Sequence, residues 1–276
     1  MRIQCYSSHI TQHGQVFDQT GHPYQLDSAY QANHHIWYFR EVADEPPIPF
    51  EAQILYRDER LLVADKPHFL ACVPSGRHVA ETLLTRLRHT LSLPELTPIH
   101  RLDRETAGVM LFSTDPAYRG AYQSLFQQHK VQKEYQAIGY FQPDLVLPTI
   151  RSSRLQERAE NFLMREVSGE PNSETLIELI ERRGALARYR LQPKSGKKHQ
   201  LRAHLAALGI GIYNDPWYPT LLPEKAVDDF SAPLLLLARV ITFVDPIDGS
   251  QRCYQSARTL DWPEAAENQA TFRLRP

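Results

Sequence analysis

Cysteine is scarce in this 276-residue chain, which contains only three. Cys5, Cys72 and Cys253 lie far apart and form no C-x-x-C pair, which argues against a disulfide framework or a zinc knuckle. Long apolar runs are also lacking, and the longest purely aliphatic stretch, residues 234–238, is far too short to span a bilayer. The N-terminal sequence has no apolar core of the kind found in signal peptides. We therefore expect a soluble cytoplasmic protein with no membrane association.

An excess of charge of one sign is absent as well, since 31 basic residues stand against 32 acidic ones. A nucleic-acid-binding surface would therefore need its positive charge concentrated locally. Residues 182–204 contain no Asp or Glu. Their basic residues are Arg182, Arg183, Arg188, Arg190, Lys194, Lys197, Lys198 and Arg202. Such a run is either a solvated basic face or a nucleic-acid contact, and the composition leaves both open.

The first 50 residues differ in composition from the rest and hold five of the twelve histidines, His9, His13, His22, His34 and His35. No pair of them has zinc-finger spacing, so we predict no metal site. The Pro-rich residues 45–49 favour neither helix nor strand and predict an extended linker. We therefore predict a small N-terminal extension of unknown role over residues 1–50 and a larger domain over residues 51–276.

Short apolar runs alternate with a few helical patterns after residue 50. Residues 53–56 and 61–64 predict a β-hairpin. Apolar spacing predicts a helix over residues 79–91, and Asp115-Pro116 is typical of a helix start. Further strands are predicted over residues 135–140, 175–181, 185–191 and 234–244. Because strands follow one another with few βαβ alternations, we predict an α+β fold with a mixed or antiparallel central sheet flanked by helices and loops.

Residues 99–108 form the most unusual motif, Ile-His-Arg-Leu-Asp-Arg-Glu-Thr-Ala-Gly, and an apolar run follows them. They place Asp103 between Arg101 and Arg104. Nearby guanidinium groups favour the ionised carboxylate, and an ionised Asp held on a loop can act as a nucleophile or base. A surface ion pair of little energetic consequence is the alternative, which the motif's spacing alone leaves open.

This motif resembles the His-Arg-Leu-Asp-Arg-x-Thr-(Ser/Ala)-Gly sequence of the RluA-type RNA pseudouridine synthases. The resemblance implies the fold of that family's catalytic domain for residues 51–276 and a catalytic role for Asp103. It also implies that Arg101 enters the RNA stack where the target uridine has been extruded. We expect Arg104 to form an ion pair or a phosphate contact.

Two further segments extend the resemblance. Lys133-Glu134-Tyr135 matches the family's Lys-x-Tyr, in which the Tyr packs against the target base. Residues 195–205 resemble Gly-Arg-x-His-Gln-(Ile/Leu)-Arg-x-His, whose first Arg after the Gln pairs with the catalytic Asp, a role that the resemblance gives to Arg202. His199 lies three residues earlier and can point into the same cleft. The remaining predicted RNA-binding residues are Lys197, Lys198, Arg188 and Arg190.

The chain departs from the family pattern at several positions. Lys66-Pro67 matches an early Lys-Pro motif, but Phe69 stands where Gly is common. Ala107 stands where many members have Ser, and Leu237 where a family strand often has His. Asn214 replaces a Gly, and Asn tolerates positive φ better than most residues. The first 50 residues show no recognisable S4 RNA-binding domain.

The resemblance implies an isomerase that converts uridine to pseudouridine in structured rRNA or tRNA. Asp103 would begin the reaction by attacking C1′ or by abstracting the C2′ proton. We expect no cofactor, no metal and no obligate protein partner, and we expect a monomer. A catalytically inactive RNA-binding protein is the first alternative. A hydrolase using Asp103 and a nearby His is the second, although no partner carboxylate has suitable spacing.

Overall fold

The computed structural model describes residues 16–24, 28–29, 31–32, 34–38, 45–76, 78–226 and 228–263. The chain divides into two compact units, residues 1–44 and 45–276. In the first unit, β1 (Val16–Phe17) and β2 (Trp37–Tyr38) pair antiparallel. Much of the predicted N-terminal extension, including His9 and His13, lies outside the described residues. Within the part that is described, no helix is both long and apolar enough to cross a membrane.

The Pro-rich segment predicted as a linker packs within the larger unit. The Glu45 carboxylate accepts hydrogen bonds from the backbone N–H groups of Val79, Ala80 and Glu81 at 2.7–2.9 Å. Ile48 is buried among the apolar side chains of the larger unit. The chain therefore joins this unit at about residue 45.

A mixed sheet of eleven strands organises the described part of the larger unit. The strands are β3 (Gln53–Arg57), β4 (Leu61–Lys66), β5 (Thr97–Pro98), β6 (Ala107–Ser113), β7 (Gln132–Tyr140), β8 (Thr149–Glu157), β9 (Met164–Val167), β10 (Ser173–Arg183), β11 (Leu186–Pro193), β12 (Leu236–Val244) and β13 (Gln251–Gln255). Their order is β3-β4-β6-β12-β7-β11-β10-β8-β9, with β5 on β6 and β13 on β12. β6 and β12 pair parallel and the other named pairs are antiparallel, which confirms the predicted α+β architecture.

The helices of the described residues are α1 (Leu83–Leu91), α2 (Pro116–Gln127) and α3 (Gln200–Ala207). α1 is shorter than the predicted helix over residues 79–91. Its N-terminus is capped by the Thr82 side chain, and the preceding N–H groups bind Glu45 instead of continuing the helix. α2 begins as predicted, with Asp115 as its N-cap and Pro in the first turn.

Every residue of β6 is buried because helices cover both of its faces. Met110 and Phe112 pack in the cluster that contains the apolar side chains of α1. Val109 and Leu111 pack with those of α2. Gly108 lies where β6 meets β12, with φ +116, and a Cβ there would lie 2.2 Å from the Ala238 carbonyl oxygen. The strand that follows Asp103 is therefore fixed within the core.

Candidate active site

The loop that carries Asp103 connects β5 to β6 and is hydrogen-bonded to the last residue of β4 and to the turn that follows it. The fully buried Lys66 donates from Nζ to the Arg104 carbonyl at 2.9 Å. His68 lies 2.8 Å from the Glu105 carbonyl through Nδ1, and burial lowers the pKa of His68 to about 4. Because a carbonyl oxygen can only accept, the neutral imidazole carries its proton on Nδ1. These two bonds hold the backbone immediately after Asp103.

The residues before Asp103 are held in the same way. Cys72 donates from Sγ to the Leu102 carbonyl at 3.0 Å and accepts from the Leu102 N–H at 3.3 Å. His100 accepts through Nε2 from the Leu111 N–H at 3.1 Å. The loop therefore presents Asp103 on a backbone whose hydrogen bonds are satisfied on both sides, as preorganised catalytic residues require.

Arg202 from α3 joins Asp103 to a second carboxylate. Its Nη1 lies 3.3 Å from Asp103 Oδ2, while Nε and Nη2 bind the two oxygens of Asp215 at 2.8 and 2.6 Å. Asp215 also accepts from the N–H groups of Trp217 and Tyr218, and the Trp217 ring centroid lies 4.2 Å from the guanidinium carbon. Burial alone would lower the pKa of Arg202, but the hydrogen bonds and charges of the two carboxylates raise it. Arg202 is therefore a fixed cation that orients Asp103.

A cleft of about 600 Å³ opens beside Asp103. This volume lies within the range of about 300–1,000 Å³ that is usual for small-ligand sites. The predicted site residues that line the cleft are Arg101, Asp103, Tyr135, Lys197, His199 and Arg202. The fold thus brings together residues that span a hundred positions of sequence.

Two neutral side chains contribute polar groups to the cleft. Tyr135 extends from β7, and burial together with the charge of Asp103 raises the pKa of its phenol. His199 precedes α3 with φ +53, and its Nδ1 lies 3.0 Å from the Tyr218 hydroxyl. Burial lowers the pKa of His199 to about 4, so its imidazole is neutral near pH 7.

Cations outnumber carboxylates among the charged side chains of the cleft. Asp103 is the only carboxylate among the described residues that line it. Arg202 is balanced by two carboxylates, whereas no described carboxylate lies within 4 Å of a cationic nitrogen of Arg101, Lys133 or Lys197. A cleft with uncompensated cations favours a polyanionic ligand such as a nucleic-acid backbone.

Two predicted RNA-binding residues near the cleft have protein partners. Arg104 donates from Nε to the Phe69 carbonyl at 2.9 Å and lies 3.7 Å from Glu105 Oε1. Lys198 forms an ion pair with Glu157 at 2.7 Å. Neither side chain lines the cleft, and their contact with RNA stays a prediction.

Arg188 and Arg190, the other two predicted RNA-binding residues, lie on β11 away from the cleft lining. Arg188 donates to the Leu260 carbonyl at 3.0 Å. Arg190 lies between Glu134 and Glu178, at 3.5 Å from each carboxylate. The positive charge of Arg190 is therefore partly balanced within the sheet.

The sequence profile of the RNA pseudouridylate synthase family matches residues 60–207, which include the Asp103 loop, β7 and α3. The chain belongs to the RNA pseudouridylate synthase family. It is 32% identical over 211 residues to tRNA pseudouridine synthase C of Haemophilus ducreyi, covering 71% of this chain and 86% of that protein. It is 30% identical over 220 residues to the dual-specificity RNA pseudouridine synthase RluA of Haemophilus influenzae, covering 76% and 95%. The protein is therefore an isomerase that acts on uridine in RNA, and nothing observed favours an inactive derivative.

Solved structures of human family members have the same fold. Human RNA pseudouridylate synthase domain containing 4 is 28% identical, with a TM-score of 0.54 over 69% of this chain and 83% of that one. Human RNA pseudouridylate synthase domain containing 1 is 21% identical, with a TM-score of 0.61 over 80% and 95%. The second similarity supports the pseudouridine synthase fold alone.

Two departures from the family pattern are neighbours in the sheet. Ala107 and Leu237 are register partners in the parallel β6–β12 pair, and both are fully buried. An Ala opposite a Leu forms an apolar contact that leaves no hydrogen-bonding group unsatisfied. Next to the Asp103 loop, the two departures therefore place an apolar contact where other family members often have polar side chains.

Two further departures lie at left-handed backbone positions. Asn214 has φ +62, as the sequence predicts for an Asn in place of Gly. Phe69 has φ +67, a conformation that Gly adopts most easily, which gives a reason for Gly at this position in other family members. Here the buried Phe69 ring packs against Phe50 and Phe230, with centroids 6.0 and 5.3 Å away.

The motifs did not reveal every residue that contributes to the pseudouridine synthase site. Asp215 is the bidentate partner of Arg202, and Lys66 holds the loop that carries Asp103. Lys133 lines the cleft and donates from Nζ to the Ser195 carbonyl at 2.8 Å. Lys66 and Lys133 stand inside family-like segments and Asp215 directly follows Asn214, but only the folded structure shows which atoms the three side chains contact.

Proposed function

We propose that this enzyme isomerises uridine in tRNA and that Asp103 begins the reaction. The observation that carries the proposal is the 3.3 Å contact between Asp103 and the buried Arg202 in a cationic cleft that also contains Tyr135. tRNA is preferred over rRNA because relatives from Haemophilus ducreyi and Vibrio parahaemolyticus are named tRNA pseudouridine synthase C.

The reaction needs a carboxylate that is ionised and fixed beside the sugar of an extruded uridine. Arg202 holds Asp103 so that one oxygen can attack C1′ or accept the C2′ proton, and either route breaks the N1–C1′ bond. The uracil then turns and C5 bonds to C1′. On the first route the Asp103–C1′ bond breaks as C5 bonds, and on the second Asp103 returns the proton to C2′. The C5 hydrogen leaves as a proton and N1 gains one. Tyr135 supplies a stacking face and a neutral hydroxyl beside the base throughout.

The cations of the cleft are proposed to bind the RNA around that uridine. Extrusion costs on the order of a few kcal/mol of stacking. Arg101 is exposed at the cleft and can place its guanidinium plane in the vacated stack. Lys197 and His199 are proposed to contact the backbone nearby. We also propose that the enzyme works as a cytoplasmic monomer without an obligate partner protein.

Mapping pseudouridines by carbodiimide chemistry tests the substrate assignment. RNA is compared from cells with the gene, cells without it, and deleted cells that express either the natural enzyme or the Asp103→Asn variant. We expect at least one tRNA pseudouridine to disappear on deletion and to return only with the natural enzyme. Loss confined to rRNA would refute the tRNA assignment, and restoration by Asp103→Asn would refute the role of Asp103.

A further inference from the structure

A second groove of about 980 Å³ adjoins the catalytic cleft. It lies over residues of β7, β8, β10, β11 and β12. The two cavities share the lining residues His129, Lys133, Asn172, Pro193 and Ser195. A strand of RNA with its target uridine in the cleft could therefore continue directly into this groove.

The groove offers hydrogen-bonding groups and little uncompensated charge. Amide and hydroxyl side chains line it, among them Gln132, Gln192, Ser152 and Thr242. Its two carboxylates are both paired, Glu134 with Arg190 at 3.5 Å and Glu174 with Lys194. Such a surface suits the edges and sugar of a nucleotide better than it suits a second cluster of phosphates.

Lys133 lies at the boundary between the two cavities. Its Nζ uses one N–H on the Ser195 carbonyl, at 2.8 Å, and two remain. The Lys133 side chain is half-buried, so part of it remains accessible from the two cavities that it lines. The other shared ionisable side chain, His129, has its Nδ1 3.0 Å from the Lys194 carbonyl. Lys133 is thus a fixed cation at the point where a strand would pass from one cavity to the next.

We propose that the second groove binds the nucleotide adjoining the target uridine, and that Lys133 binds the phosphate joining these two nucleotides. The inference rests on the proposed function, because it needs the target uridine in the cleft. It assigns the groove to one neighbour in the same RNA strand and gives Lys133 a positioning role.

Neutral methylphosphonate linkages test the phosphate contact. Stem-loop RNAs of the natural substrate carry one such linkage on the 5′ or the 3′ side of the target. Binding and single-turnover isomerisation are measured for the natural enzyme, Lys133→Met and the control Lys130→Met, whose exposed side chain lines neither cavity. We expect the linkage on one side to weaken binding by the natural enzyme and the control about tenfold, as loss of a charge-assisted contact predicts. Lys133→Met should bind normal RNA about tenfold more weakly and lose nothing further with that linkage.

If Lys133→Met and the neutral linkage weaken binding independently, so that their effects multiply at both the 5′ and the 3′ linkage, the phosphate contact is refuted.

Ser152→Trp tests the groove separately, because Ser152 is exposed on β8 and lines only the second cavity. We expect this variant to weaken binding of RNA that extends past the sensitive phosphate, and to leave RNA that ends there unaffected. If Ser152→Trp binds the extended RNA as tightly as the natural enzyme does, the groove assignment is refuted. If the natural enzyme makes no pseudouridine in normal RNA, the proposed function fails, while the binding comparisons still report on Lys133.

Discussion

Replacing Arg202 with Met tests how one guanidinium serves two carboxylates. The Arg202 side chain is 1% exposed and that of Asp215 is 0% exposed, whereas that of Asp103 is 22% exposed. Met preserves much of the apolar stem but supplies no positive charge. Asp215 then remains buried without a counter-ion, while Asp103 can be solvated from the cleft.

The structure predicts different magnitudes for the loss of stability and for the loss of isomerisation rate. Removing one partner of a buried ion pair costs about 3–5 kcal/mol. Asp215 keeps its bonds from the Trp217 and Tyr218 N–H groups, so we expect the lower end, about 3 kcal/mol of unfolding free energy. An ion pair at this distance is worth about 5 kcal/mol at an effective dielectric of about 20, and the partial exposure of Asp103 reduces this to about 2–3 kcal/mol. The isomerisation rate should therefore fall roughly 30- to 150-fold.

A second variant separates the structural role from the catalytic one. Arg202→Met combined with Asp215→Asn removes the uncompensated buried charge, so it should recover about 1–2 kcal/mol of the lost stability. It restores no cation beside Asp103. We therefore expect its isomerisation rate to remain as low as that of Arg202→Met.

Denaturant unfolding and single-turnover release of tritium from 5-tritiated uridine RNA measure the two quantities. Saturating enzyme keeps RNA binding out of the rate comparison. Recovery of the natural rate by the double variant would show that Arg202 influences Asp103 only through packing. A stability loss under 1 kcal/mol in Arg202→Met would refute the argument from the buried charge.

Three further predictions concern stability. Phe69→Gly should lower the free energy of unfolding by about 2–3 kcal/mol, as measured in urea. Losing the buried ring costs about 3–5 kcal/mol, whereas Gly adopts the positive φ without the strain of about 1–2 kcal/mol that Phe carries. A variant more stable than the natural protein would contradict this. Gly108→Ala should destabilise by at least about 3 kcal/mol, since its Cβ would overlap the Ala238 carbonyl, whereas Gly120→Ala in α2 meets open space and should stabilise by up to about 1 kcal/mol. Equal effects would disprove the close approach of β6 and β12. Burial lowers the pKa of four histidines from 6.5 to about 3 or 4, so the unfolded chain binds more protons between those values. Stability should therefore fall as pH drops from 6.5 towards 4, by up to about 1.4 kcal/mol per pH unit for each histidine, and an unchanged denaturation midpoint would contradict this. These residues are His68, His100, His199 and His204.

Local patterns predicted β3, β4, β7, β10, β11 and β12, because alternation and short apolar runs are properties of neighbouring residues. They did not predict β5, β8, β9 or β13. The predicted start of α1 at residue 79 was wrong because the N–H groups of residues 79–81 bind Glu45, more than 30 positions away in the sequence. Apolar spacing carries no information about such a distant acceptor. Asp115, by contrast, was assigned correctly because an N-cap and its helix are contiguous.

The site was predictable to the extent that the motifs carry it. Asp103, Tyr135 and Arg202 stand in recognisable segments, and the fold places all three at one cleft. The partners of Arg190 were not predictable, because Glu134 and Glu178 reach it through the register of flanking strands. Strand register depends on tertiary pairing, which one sequence does not determine.

Tritium release by Asp103→Asn tests the central claim most directly. The amide keeps the shape of the carboxylate but can neither attack C1′ as an anion nor accept the C2′ proton. We predict no release of the C5 hydrogen by this variant, with RNA affinity within about tenfold of the natural enzyme because phosphate contacts dominate binding. Substantial release from RNA bound by Asp103→Asn would contradict the assignment of Asp103 as the group that begins the reaction.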